Sequence, residues 1–412
     1  MTPAEPEAEL RAGPVAGVDR STGEPPNGAI PRRPPDRPSQ AAALQRPLPP
    51  FDEEHEALRM EMRAFVVEEL APHADEWEEA RSFADWVIPR VAEKGYVGLK
   101  FPRELGGGGD PLAAAVWAQE LARCGSGGLG AGIGAHTGIA LPPVWKFGTP
   151  DQHERYLLPG IRGEKVAALG ITEPDAGSDV AGIRTRARRV EGGFVVNGSK
   201  MFITNGVRAD FVVTAVKTTD EGGHHGISFL IVDRGPGVSA SPIEKLGWHA
   251  SDTALIALDD VFVPEENLLG PEHEGFKLIM ANFQWERLMM ALGAIGAMEV
   301  VFERTVAAVD ARGGCSQATR HTLAEVALAL ESGRALTHHA LRLHLLGMNA
   351  VQEVTMAKLA TQRAAYDAAD ACLDVHGPDP AIERAVRDLR LGPIGGGTDE
   401  IMREILGKTL GL

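Results

Sequence analysis

Three consecutive glycines, Gly395, Gly396 and Gly397, run into Thr398-Asp399-Glu400-Ile401 and a stretch of helical period near the C-terminus. Glycine lets the main chain approach a ligand closely. The free N–H groups at a helix start, at the positive end of its dipole, hold partial negative charge. A C-cap and turn between two helices fits the same residues, and the loop alone does not separate the two readings. Two further strings end runs of strand-forming residues with hydroxyl, amide and glycine residues: Ile171-Thr172-Glu173-Pro174-Asp175-Ala176-Gly177-Ser178-Asp179 and Lys200-Met201-Phe202-Ile203-Thr204-Asn205-Gly206. Such edges can hydrogen-bond a flat polar heterocycle through main-chain groups and hydroxyls, although a pair of ordinary hairpin turns also accounts for them. The histidines offer less. His55, His73 and His136 are isolated, and His224 and His225 sit among Gly222, Gly223 and Gly226 in a hairpin tip, so no metal site is expected.

Periodicity defines what positions these strings. Leu58, Met62, Phe65, Val66 and Leu70 repeat at helical spacing, and further helices are expected around 75–94, 111–123 and 151–159, separated by glycine runs at 106–109 and 126–133. Between about 165 and 265 the runs shorten to strand length, rich in Val, Ile and Phe and bounded by turn residues. They predict an antiparallel β domain; no helices intervene and no GxGxxG follows a strand, which argues against a doubly wound sheet. Helical period returns at 273–311, 317–347, 351–375, 380–391 and 398–410, predicting a bundle in which His338, His339 and His344 are surface or inter-helix polar residues. The fold class is thus α+β: a proline-rich tail over 1–50, an N-terminal helical domain over 51–164, a middle β domain over 165–270 and a C-terminal helical bundle over 271–412.

The tail holds 12 of the 28 prolines and few large apolar residues, so it is expected to be disordered. It lacks the apolar core of an export signal and carries acidic residues early, and no run approaches the length of a bilayer span. A net charge of −16 argues against nucleic acid or an anionic membrane as partner. Cys124, Cys315 and Cys372 are far apart and odd in number, which points to reduced thiols and a cytoplasmic location.

The two strings, followed in order by Lys245-Leu246-Gly247-Trp248-His249-Ala250-Ser251-Asp252-Thr253 and Val263-Pro264-Glu265-Glu266-Asn267-Leu268-Leu269-Gly270, resemble the acyl-CoA dehydrogenase family from about residue 51 to the C-terminus. The resemblance implies FAD bound between sheet and bundle, a tetrameric or dimeric assembly, and oxidation of an acyl-CoA thioester to the trans-2-enoyl-CoA with electrons passed to an electron-transfer flavoprotein. It places Thr172 and Ser178 in the first flavin-facing string, Phe202 and Thr204 beside the isoalloxazine, and Thr398 and Glu400 in the final cofactor-contacting loop. The chemistry needs a carboxylate to take the α proton. In many members that base occupies the position of Gly396, which has none. A subset resembling long-chain and isovaleryl-CoA dehydrogenases has glycine there and carries the base on an earlier helix, in the string matched by Phe283-Gln284-Trp285-Glu286-Arg287-Leu288. Glu286 is therefore the candidate base, expected to lie partly desolvated with a raised pKa, against the ordinary alternative of a helix-surface ion pair. Gly396 would still offer its N–H to the thioester carbonyl.

Two departures concern contacts made across the family's subunit interface. The Arg-x-x-Phe-Gly string is absent; the matching positions are about Val306, Val309 and Asp310, with Arg304 and Arg312 nearby but out of register. In the Gln-x-x-Gly-Gly element Asp374 replaces Gln and Pro378 the second Gly, and about five residues are missing before Ile382-Glu383-Arg384. These departures suggest a hetero-tetramer with a homologous subunit, or a homo-oligomer with altered FAD binding. A flavin- or acyl-CoA-binding subunit with little activity of its own, and a flavin oxidase or monooxygenase on the same fold, are the competing functions.

Overall fold

The computed structural model describes residues 49–219 and 223–412; the tail expected over 1–50 falls almost wholly outside them. The N-terminal helices are α1 (Glu53–Phe65), α2 (Ala74–Ala80), α3 (Val87–Glu93), α4 (Pro111–Glu120), α5 (Gly127–Gly134) and α6 (Leu141–Phe147). Several start where the sequence supplies a cap. The Asp110 carboxylate accepts the N–H groups of Leu112 and Ala113, with Pro111 in the first turn, and Thr149 and Gln152 form a reciprocal capping box.

α5 departs from expectation. The run at 126–133 is a helix rather than a separator, capped by Ser126, whose hydroxyl accepts the Leu129 N–H at 3.2 Å. Its glycines serve close packing. A β carbon at Gly128 would lie 2.6 Å from the Ser251 nitrogen, and one at Gly132 would run into the Phe83 ring. The next turn, Ala135–Ala140, is wider than an α-helix and holds the fully buried His136. His136 Nδ1 accepts the Ala167 N–H, Nε2 donates to Gly160 O, and burial pushes the imidazole down to about 4.

The sheet comprises β1 (Ala167–Gly170), β2 (Arg186–Val190), β3 (Gly193–Ile203), β4 (Phe211–Lys217), β5 (Ile227–Asp233), β6 (Val238–Pro242), β7 (Ala254–Pro264) and β8 (Leu268–Leu269). Its order is β6-β7-β3-β2-β4-β5-β8, with β1 beside β4. Most neighbours are antiparallel as expected. β1 and β4, however, run parallel, and β2 meets β4 through one parallel pair, Arg186 with Lys217. Parallel neighbours need a long crossover. Here it spans the residues between Gly170 and Phe211, and so carries both hydroxyl-rich strings. Along β4 and β5 every other residue faces the helices, as Phe211, Val213, Phe229 and Ile231 do. Val212, Val216, Leu230 and Val232 instead join Phe194, Ile256 and Val263 in the sheet's own core.

The C-terminal helices are α7 (Gly275–Ala311), α8 (Gln317–Leu345), α9 (Val351–His376), α10 (Pro380–Leu389) and α11 (Asp399–Thr409). α7, about 55 Å long at 1.5 Å per residue, packs on α4, α8 and α9 and carries Glu286. His338 is buried edge-on to Phe51 and 3.5 Å from Gln119, an inter-helix role as expected. No described helix is long and apolar enough to cross a membrane. Among the described residues no three His, Cys, Asp or Glu side chains gather as a metal site.

Candidate active site

Glu286 and Met290, one turn apart on α7, face the glycine loop. A β carbon built on Gly396 would lie 3.6 Å from Glu286 Oε1 and would run into Met290 Sδ, and Gly396 holds φ at +62°. Glycine is therefore favoured here twice, by backbone conformation and by crowding. The loop is pinned from two helices. Lys358 Nζ, fully buried, donates to Gly397 O at 2.7 Å, Arg287 Nε donates to Gly396 O at 3.3 Å, and Gln362 Nε2 donates to Met290 O at 2.7 Å.

Thr398 caps α11 by accepting the Ile401 N–H, while buried Asp399 pairs with Arg363. Two groups at this point are unused. Among the described residues neither the Glu286 carboxylate nor the Gly396 N–H makes a hydrogen bond. Burial pushes the Glu286 carboxyl up to about 7, with Arg287 and Lys358 pulling the other way. The side chain nonetheless retains some accessible surface. Lys358 is brought down to about 8 by the same burial.

The two strings meet where β1 and β3 end. Met201 N–H donates to Thr172 O at 2.8 Å, and the buried Lys200 Nζ reaches Ile171 O at 3.1 Å and Glu173 Oε1 at 2.7 Å. Glu173 also accepts the N–H groups of Arg184 and Thr185. Burial alone would raise Glu173, but Lys200 and these donors hold it below its ordinary range, while desolvation lowers Lys200 to about 8.

Beyond this clamp the chain turns outward. Phe202 and Asn205 take φ of +61° and +62°, unusual for residues other than glycine, and Phe202 is 60% exposed. The hydroxyls of Thr172, Ser178 and Thr204 have no hydrogen-bond partner among the described residues. Glu400 lies at the start of α11 with its carboxylate exposed and 3.5 Å from Arg403. It stands apart from the Glu286 pair.

The third and fourth strings act as clasps. Asp388 of α10 accepts Trp248 N–H at 2.6 Å through one oxygen and Gly127 N–H at 2.9 Å through the other, tying α10, the loop before β7 and α5 together. Burial raises Asp388 to about 6. In the fourth string Asn267 Nδ2 donates to Ile231 O, and Gln152 Nε2 donates to Glu266 O and Leu268 O. Sequence reasoning missed Met290, Lys358 and Asp388. Lys358 left one signal, a lysine within the apolar periodicity of Val354, Ala357, Thr361 and Ala365.

Comparisons with known proteins agree with this layout. Family models described as the N-terminal, middle and C-terminal domains of acyl-CoA dehydrogenase match residues 52–164, 168–261 and 273–411. The chain belongs to the acyl-CoA dehydrogenase family. It is 34% identical over 376 residues to the mitochondrial long-chain specific acyl-CoA dehydrogenase of Mus musculus, covering 87% of each chain. It is 33% identical to the mitochondrial isovaleryl-CoA dehydrogenase of Arabidopsis thaliana, covering 87% of this chain and 92% of that one. Among solved structures, a probable acyl-CoA dehydrogenase from Mycobacterium abscessus superimposes with a TM-score of 0.84 at 38% identity, covering 87% of this chain and 99% of that one.

The two arginines near the turn between α9 and α10 are engaged internally. Arg304 pairs with Asp379 at 2.8 Å, and Arg312 donates to the carbonyls of Val375 and His376. Asp379 in turn caps α10 through the N–H groups of Ala381 and Ile382. The turn is thus held by these two arginines.

Proposed function

We propose that this chain performs FAD-dependent α,β-dehydrogenation of an acyl-CoA thioester, giving the trans-2-enoyl-CoA. The observation that carries this reading is the juxtaposition of an unpaired, partly desolvated Glu286 carboxylate with the unpaired Gly396 N–H across a loop that leaves no room for the usual carboxylate. Glu286 takes the α proton at a carboxylate oxygen. Its pKa near 7 makes that proton transfer efficient near neutrality. The Gly396 N–H donates to the thioester oxygen as negative charge develops there, a contact worth about 3 kcal/mol per donor in comparable sites. Arg287 and Lys358 hold the loop carbonyls so that the N–H keeps its direction.

The residues at these strand ends fit the flavin. Thr172, Ser178 and Thr204 offer unpartnered hydroxyls, Phe202 offers an exposed aromatic face, and Thr398 and Glu400 stand at the loop's far end. FAD, when bound, supplies the acceptor for the β hydride. An electron-transfer flavoprotein is the proposed next acceptor. The test is to load the chain with FAD and add acyl-CoAs of different length and branching. Loss of the flavin's visible colour with formation of a trans double bond supports the reading, and colour unchanged by every acyl-CoA overturns it.

The engaged arginines at 304 and 312 favour a second element of the reading, a hetero-tetramer in which a homologous subunit donates the missing cation. A chain that purifies alone with stoichiometric FAD and full activity refutes that element and leaves a homodimer or homotetramer.

A further inference from the structure

The glycine helix has two unlike faces. Gly127, Gly128 and Gly132 press against other residues, whereas a β carbon at Gly130 or Gly134 would meet nothing within 4 Å. Four residues on, a β carbon at Gly138 would lie 3.7 Å from Met289 Cγ and 4.0 Å from Trp285 Nε1. Gly130, Gly134 and Gly138 thus form an open stripe that ends against the α7 turn carrying Glu286. A bare stripe alone indicates only space.

What faces its end is polar. Trp285 is 4% exposed and Asn282, three residues earlier, is 3% exposed. The indole Nε1 and the Asn282 Oδ1 are both buried without a hydrogen-bond partner among the described residues. The Asn282 Nδ2 donates to Ile139 O at 3.2 Å, which leaves Oδ1 as the free end of the amide. Lys100 Nζ sits 4.2 Å over the same ring, and burial pushes its ammonium well below the ordinary lysine range. Asn282 also shares an apolar crevice with Ile171, the neighbour of Thr172, and with Phe283, one turn before Glu286. The Trp285 indole N–H thus lies beside the last glycine of the stripe, and Asn282 beside both Ile139 and the residues that follow β1.

A buried donor and a buried acceptor one turn apart on a helix match a group that accepts from the first and donates to the second. A hydroxyl does both. A methylene leaves both atoms unpaired. We infer that Trp285 and Asn282 form a polar specificity point in the acyl channel, and that the preferred substrates are CoA thioesters whose acyl chain carries a hydroxyl group beyond the reacting carbons. The inference rests on the acyl-CoA reading above and narrows its substrate class.

The experiment is equilibrium binding of the FAD-loaded full chain to pairs of acyl-CoAs of equal carbon number, unsubstituted or hydroxylated, with the hydroxyl moved along the chain. At least one hydroxylated position is expected to bind ten-fold or more tightly than its unsubstituted partner. Trp285→Phe and Asn282→Leu are each expected to remove most of that ratio; if the first variant does not fold, the second still reads it. Equal or tighter binding of the unsubstituted partner at every position overturns the inference. A preference that survives in both variants overturns the assignment to these residues. Binding of no acyl-CoA at all removes the acyl-CoA reading itself, an outcome distinct from loss of the preference.

Discussion

The glycine loop facing α7 and the turn between α9 and α10 are the two places where the sequence lacks residues that the family resemblance implies, and they treat their polar groups in opposite ways. At the loop, neither the Glu286 carboxylate nor the Gly396 N–H makes a hydrogen bond among the described residues. At the turn, the two nearby arginines are engaged within the chain. Arg304 and Arg312 are spent on Asp379 and on the carbonyls of Val375 and His376. Unpaired groups leave the loop able to meet a ligand, whereas internally satisfied charges hold the turn in place.

The sharpest way to break the comparison is Glu286→Gln. Turnover is expected to fall by about 10²–10⁴-fold while acyl-CoA binding persists, measured by single-turnover flavin reduction. Wild-type kcat/KM should rise with pH through about 7, the pKa of Glu286, because the base works deprotonated. Since that pKa is raised on folding, the wild type also loses stability as pH climbs from the unfolded value toward 7. Glu286→Gln should therefore have the higher Tm at pH 8 and lose that advantage at pH 4. A turnover unchanged by the substitution would equate the two regions and leave Glu286 as an ordinary helix carboxylate.

A smaller effect is expected at Lys358. Lys358→Met removes the bond to Gly397 O and one cation near Glu286, so kcat should drop about ten-fold and the pH midpoint should move upward, since that cation favours the charged carboxylate. A midpoint that moves down would mean that lost burial outweighs lost charge. The smallest effect belongs to the turn. Arg304→Ala breaks a half-exposed ion pair with Asp379 and should cost about 0.5–1 kcal/mol by denaturant melting, with turnover unaltered. A loss of FAD affinity in that variant would restore a cofactor role to the corner.

The long helices were legible because their ends carry their own signals: Thr398 before Asp399, Ser316 before Gln317 and Asp379 before Pro380 each cap the helix that follows. The hydroxyl-rich strings were legible as strand ends, and Glu286 as the partner of Gly396 through resemblance. The parallel pairing of β1 with β4 was hidden because strand-length runs do not state their partners. The glycine run at 126–133 misled for a related reason: glycine marks both flexible turns and helices forced into close contact, and only the neighbouring Phe83 and Ser251 distinguish them. Lys358 and Asp388 act through partners distant in sequence, which no local pattern records.

Five of the eight residues of α5 are glycine, each costing roughly 1 kcal/mol of helix propensity relative to alanine. Such a segment has no helical tendency of its own and holds its shape only while Phe83, Ser251 and Asp388 hold it. Its amides should accordingly exchange with solvent sooner than those of α7 or α9, and their protection reads out how firmly three separate parts of the chain are assembled. α5 is in this sense borrowed structure, as rigid as the contacts behind it.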